Sequence, residues 1–173
     1  MLTLLAATFL LAQADPLPQA EQVPIDGPLD HRDQWGVTAA LGATYLIDNH
    51  PLSAASDYNP GLVPTLEIGA TRAVADLGEL HLRVRLFDDS YLRPWFFFGY
   101  RAYSSEGPLT TFFDLDASWA TGHDWALGAR GAVGLQWDPV RSFGLFLSLG
   151  AGVAIGSTYN ISFEGLFGPH VRF

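Results

Sequence analysis

Two short polar segments hold the components of acyl transfer: His50 closes Asp48-Asn49-His50, and Asp89 and Ser90 lie within Phe87-Asp88-Asp89-Ser90-Tyr91. A hydroxyl can attack a carbonyl or donate to its developing oxyanion, an imidazole can take the proton, and a carboxylate can orient the imidazole. In that arrangement Ser90 is the nucleophile or oxyanion-side donor, His50 the general base and Asp89 its orienting carboxylate. Asp, Ser, Asn and His also make good turns, so both segments read equally as connections between strands. His31 and His123 fall in polar surroundings and read as solvated, and no spacing of His, Asp and Glu amounts to a metal site. With no cysteine in the chain, thiolate chemistry and disulfides are excluded, and no cofactor is expected.

The elements that must hold these residues are strands. From Trp35 onward the sequence alternates with period two. Trp35, Val37, Ala39, Leu41, Ala43, Tyr45 and Ile47 share one face of the first run; Leu66, Ile68 and Ala70 oppose Thr65, Glu67, Gly69 and Thr71 in the second. In the third, Leu80, Leu82, Val84 and Leu86 oppose Glu79, His81, Arg83 and Arg85. Five further runs, around 92–101, 112–119, 125–137, 145–156 and 161–173, repeat the pattern. Eight such runs, longer than most globular strands, suit segments of ~9 to 11 residues crossing a bilayer at a tilt.

Alternation alone does not orient the faces, since a soluble barrel would bury the apolar set. Here the charged face is also the glycine-rich face, as a narrow lumen requires. Aromatics such as Trp35, Tyr45, Tyr100, Trp119, Trp125, Trp137, Tyr159 and Phe173 gather near run ends, as interfacial girdles do. The expected fold is all-β: an eight-stranded antiparallel up-and-down transmembrane β-barrel over 34–173, monomeric, in a bacterial outer membrane. Connections near 48–60, 88–91, 121–124 and 156–159 are expected at the outer surface. Turns near 75–79, 104–109 and 138–142, the last containing Asp138-Pro139, are expected on the periplasmic side.

The chain has 173 residues, 49% hydrophobic, with a net charge of -9 and arginine as its only basic residue besides histidine. That balance and the lack of a basic run argue against a nucleic-acid partner. Residues 1–14, MLTLLAATFLLAQA, are apolar and close on a small-x-small pattern, so they read as a secretory signal peptide; they fall short of the ~20 residues of a membrane helix. Residues 15–33 carry four prolines and read as a periplasmic arm.

The inward positions divide by height. Glu79, His81, Arg83, Arg101, Asp114, Asp116, Arg130, Glu164, His170 and Arg172 lie toward the periplasm and middle, nearly balanced in charge, and read as an ion-pair network that plugs the lumen. The outer half, including Leu46, Val63, Phe87, Trp95, Phe97, Gly128 and Gly152, is small or apolar. It is expected either to pack on itself or to hold an acyl chain.

Phe87-x-Asp89-Ser90 followed by Gly99-Tyr100, with His81 in the preceding strand, resembles the lipid A palmitoyltransferases (the PagP family) of Gram-negative outer membranes. The resemblance covers roughly residues 44–103 and the carboxyl-terminal aromatic. It implies an eight-stranded barrel that moves an acyl chain from a phospholipid to lipid A, using an Asp-Ser pair on the second outer loop and a histidine near the first. The family's histidine lies in or just after its first strand; Ala39 to Tyr45 contain none here, and His50 is the shifted counterpart. The family's amphipathic amino-terminal helix has no counterpart in the proline-broken segment 15–33. Pro64 and Pro169, which remove ladder donors, are compatible with the weakened strand seams the family uses for lipid entry. Two functions stand side by side: a lipid acyltransferase acting on phospholipid and lipopolysaccharide, and a non-catalytic structural or surface-interaction barrel.

Overall fold

The computed structural model describes residues 33–49, 61–87, 94–121, 125–156 and 159–173. Residues 1–14, expected as a signal peptide, nearly all of the expected arm 15–33, and His50, Asp89 and Ser90 lie outside the described residues. Eight strands follow in order: β1 (Trp35–Asn49), β2 (Leu62–Ala75), β3 (Gly78–Phe87), β4 (Pro94–Tyr103), β5 (Leu109–Ala120), β6 (Ala126–Val140), β7 (Phe143–Gly156) and β8 (Tyr159–Arg172). Each pairs antiparallel with the next and β8 closes on β1, so no strand edge is left open.

Register sets the shape of the closure. One row of paired residues runs from Trp35 through Arg72, Leu80, Tyr100, Leu115, Gly131, Ala151 and Phe163 and returns to β1 at Tyr45, ten residues further along. With ordinary strand rise and spacing, that stagger tilts the strands by roughly 40° and gives a backbone radius of about 8 Å. A cylinder of that width is filled by its own side chains.

Burial orients the faces. β5 alternates without a break between exposed Leu109, Thr111, Phe113, Leu115, Ala117 and Trp119 and buried Thr110, Phe112, Asp114, Asp116, Ser118 and Ala120. Across the barrel most large apolar side chains point outward, while Arg83, Arg85, Arg101, Arg130, Arg172, six carboxylates, His81 and His170 are buried. A water-soluble protein buries the opposite set. Trp35, Trp137, Phe143 and Phe173 ring the end where the strands meet in short turns, and Tyr45, Trp119, Trp125 and Tyr159 ring the other. The register separates Trp35 from Tyr45 by about 25 Å along the barrel axis, the height of an outer-membrane apolar band. The chain is a transmembrane β-barrel.

One turn differs from the sequence expectation. Asp138 and Pro139 belong to β6, and the connection is only Arg141-Ser142. A register shift between Trp137 and Val140 lets the strand continue through the proline, and Asp138 enters the lumen, 2% exposed. The two strand prolines have unlike surroundings. Pairing is continuous through Ala43↔Pro64, whereas beside Pro169 the β1–β8 ladder passes from Thr38↔His170 to Leu41↔Phe167.

Candidate functional site

The lumen is where this barrel concentrates its chemistry. Arg83, Arg85, Arg101, Arg130 and Arg172 are buried with Glu67, Glu79, Asp114, Asp116, Asp138 and Glu164. All come from strands whose alternation brings every second side chain inward, and the barrel's narrowness forces opposite walls into contact.

Three tiers are linked. At the turn end, Arg172 Nε donates to Glu79 Oε1 (3.1 Å), and its Nη1 lies 3.1 Å from Asp138 Oδ2. The Tyr103 hydroxyl donates to Glu79 Oε2 at 2.8 Å and accepts from Arg172 Nη2 at 3.2 Å. In the middle, Asp114 accepts from Arg101 Nε (2.7 Å), Arg101 Nη2 (2.9 Å) and Arg83 Nη2 (2.8 Å). The Arg101 guanidinium lies 3.7 Å from the Phe112 ring centre and 5.2 Å from that of Phe146, so its face meets aromatic rings while its edge is hydrogen-bonded. Above, Glu164 joins Arg85 to Arg130, Arg130 Nη1 donates to Asp116 Oδ2 at 2.5 Å, and Arg85 Nε donates to Glu67 Oε2 at 3.0 Å. Phe97 covers this tier, with Arg85 4.5 Å and Arg130 5.6 Å from its ring centre.

Both lumen histidines are spoken for. His81 Nδ1 faces Arg83 Nη2 at 2.9 Å, and because a guanidinium only donates, Nδ1 accepts and Nε2–H donates to Asp116. That is the neutral tautomer. His170 likewise accepts from Gln136 Nε2 at Nδ1 (3.2 Å), leaving Nε2–H for Thr71 Oγ1 at 3.0 Å. With both imidazoles neutral, five guanidiniums face six carboxylates, and neither histidine is poised as a free base.

A glycine makes room for the His81–Asp116 pair. A Cβ on Gly99 would stand 2.1 Å from Asp116 Oδ1 and 2.7 Å from His81 Nε2. Gly99→Val is therefore expected to displace the Asp116 carboxylate and lower stability by about 1 to 3 kcal/mol. A shift in the urea midpoint of the folded barrel, with unchanged slope, would register it.

In the outer half of the lumen the described residues Trp95, Ala120, Ala126 and Ala154 pack together. Of the expected acyl-pocket residues, Leu46, Trp95, Phe97 and Gly152 line a common space with Arg85, Ser118, Arg130, Asn160 and Ser162. That space is about 20 Å³, room for one water, whereas an enclosed ligand site takes about 300 Å³ or more. A Cβ on Gly128 would fall 2.2 Å from the Val153 carbonyl oxygen, so strand backbone fills that position. Val63 is half-buried and does not line the space; the side chain of Phe87 lies outside the described residues. Among the described residues no group of His, Cys, Asp and Glu is arranged to hold a metal ion. β1 and β3, which end at Asn49 and Phe87, both pair with β2, so His50 and Asp89-Ser90 follow directly from strands flanking a common neighbour at the same rim.

Sequence reasoning found the inward face but not all of the network. Glu67 and Arg85 were on the inward face without an assigned height, and Asp138 was assigned to a turn. The Asp-Pro dipeptide masks its strand character; the inward parity of Gln136 two residues earlier was the available signal.

No family model matches the chain, and no curated protein matches it. Solved structures do. The outer membrane protein OprG from Pseudomonas aeruginosa is similar with a TM-score of 0.59 and 10% identity over 85% of this chain and 99% of that one. Neisserial surface protein A gives a TM-score of 0.57 at 14% identity over 80% and 97%. A de novo designed transmembrane β-barrel gives 0.54 at 12% identity over 82% and 97%. The fold is that of a small outer-membrane β-barrel. At such identities the likeness concerns architecture alone; the lipid A palmitoyltransferases are not named among these structures.

Proposed function

We propose that the chain is a closed, monomeric, non-catalytic outer-membrane barrel: a sealed lumen that carries four connections at one membrane surface. The observation that supports this is the polar network that runs from Arg172 at the turn end, through Gln136 and the Arg83–Glu67 pair, to Arg85 and Arg130 beneath Phe97. It occupies the space that an ion path would need. Membrane phospholipid and lipopolysaccharide are then its surroundings, not its substrates.

Acyl transfer is the competing reading, and it rests on Asp89, Ser90 and His50 following the ends of strands that flank β2. It asks for an acyl-sized chamber in the outer lumen, where the described side chains enclose about 20 Å³.

Two measurements separate the readings. In planar bilayers the purified barrel is expected to show no conductance steps above leak; steps resembling those of a wide porin would overturn the sealed lumen. In detergent with labelled phospholipid and lipid A, no transfer is expected. Transfer by the wild-type barrel that disappears in Ser90→Ala and in His50→Ala, both still folded by heat-modifiable mobility, would establish the acyltransferase instead.

A further inference from the structure

Among the described strand residues pointing outward, Arg72 is the only charged side chain. The other outward positions of β2 are Leu62, Pro64, Leu66, Ile68, Ala70 and Val74. A guanidinium among these is unfavourable unless it sits where lipid headgroups begin.

Register puts it there. Arg72 pairs with Trp35, the first residue of β1, and the same row continues through Leu80 to Tyr100. At a tilt of roughly 40° it lies about 3 Å above the level of Trp35, at the inner margin of the turn-end girdle. Its guanidinium lies 5.1 Å from the centre of the Trp35 ring, which holds it against the barrel wall. Tyr100, on the same row in β4, leans across the start of β3. A Cβ on Gly78 would stand 1.8 Å from the Tyr100 hydroxyl oxygen, so the glycine in β3 lets the phenol cross its backbone. The hydroxyl thus reaches the start of β3, where Gly78 pairs with Ala75 of β2, three residues beyond Arg72 toward the turn.

Among the described residues, the Arg72 guanidinium, the Trp35 indole N–H and the Tyr100 hydroxyl have no hydrogen-bond partner. Three donors, one of them cationic, therefore lie on the outward face near the turn end, with Leu80 between Arg72 and Tyr100 and with Leu82 and Ile68 forming an apolar wall above. A phosphodiester whose acyl chains run up that wall satisfies all of these features: its oxygens accept, its charge neutralises the arginine, and its tails cover the leucines.

We propose that Trp35, Arg72 and Tyr100 form a clamp for the phosphate of a membrane phospholipid at the turn end of the barrel. Arg72 supplies a charge-assisted fork, Tyr100 a second donor, and Trp35 fixes the arginine's orientation. The site is independent of the lumen and of any chemistry at the opposite rim.

Native mass spectrometry of the folded barrel released from micelles tests this, with dioleoyl phosphatidylglycerol, the matching diacylglycerol and lipid A as separate probes. One phosphatidylglycerol is expected to be retained, and diacylglycerol is not. Arg72→Gln is expected to weaken retention about tenfold, Tyr100→Phe less, and Arg72→Lys to keep part of it. Each variant is checked for heat-modifiable folding, so loss of lipid is distinguished from loss of fold. Equal retention by wild type and Arg72→Gln, or of diacylglycerol and phosphatidylglycerol, would overturn the clamp. Arg72-dependent retention of lipid A in preference to phosphatidylglycerol would overturn the phospholipid assignment.

Discussion

Asp114→Ala is expected to destabilise the barrel by about 3 to 5 kcal/mol, the cost of removing one partner from a buried ion network. Asp114 is fully buried and receives hydrogen bonds from Arg83 and from two nitrogens of Arg101. Without it, two guanidiniums remain in a lumen too narrow for bulk water. Asp114→Asn keeps the shape and one acceptor oxygen and is expected to fall between wild type and Asp114→Ala. The double variant Arg101→Met with Asp114→Leu removes a charge of each sign and is expected to recover a large part of the loss, because apolar replacement of a buried pair is often neutral. Urea unfolding in lipid vesicles measures all three. An Asp114→Ala loss below about 1 kcal/mol, the scale of an exposed pair, would mean that water reaches this tier and that the lumen is not sealed.

The second large effect tests the orientation of the faces. Leu115 is 59% exposed, and its row lies about 12 Å above Trp35, midway between the aromatic girdles. Leu115→Arg is expected to cost about 2 to 4 kcal/mol, as arginine does at the bilayer midplane. Leu62, 71% exposed and near the opposite rim, is the control: Leu62→Arg is expected to cost about 0 to 1 kcal/mol. Depth is the variable, since both leucines face outward. Equal, small costs at the two positions would mean that water, not lipid, surrounds the barrel. Arg72 fits the same gradient, because the only outward charge among the described strand residues stands at the girdle.

The catalytic assignment of His50, Asp89 and Ser90 remains a matter of sequence. These residues sit on connections, where neither alternation nor strand pairing says how side chains approach each other. Nothing in the period-two pattern could decide whether the imidazole reaches the serine hydroxyl.

The number of strands, their antiparallel order and the face each side chain takes are all legible in the period-two pattern and its composition. Those properties are local: the pleat repeats every two residues, so Glu79, His81, Arg83 and Arg85 must share a side of β3 wherever that strand lies. Which charges meet depends on how the ring closes. Arg85 finds Glu164, 79 residues away in sequence, and Arg172 finds Glu79, 93 residues away. Those pairings depend on a ten-residue stagger accumulated over eight ladders, with β6 continuing far enough to keep Asp138 on its inward face. A one-residue slip in any ladder would change a neighbour or turn a face outward. Closure is a property of the whole ring, so the network it brings together could not be read from any one strand.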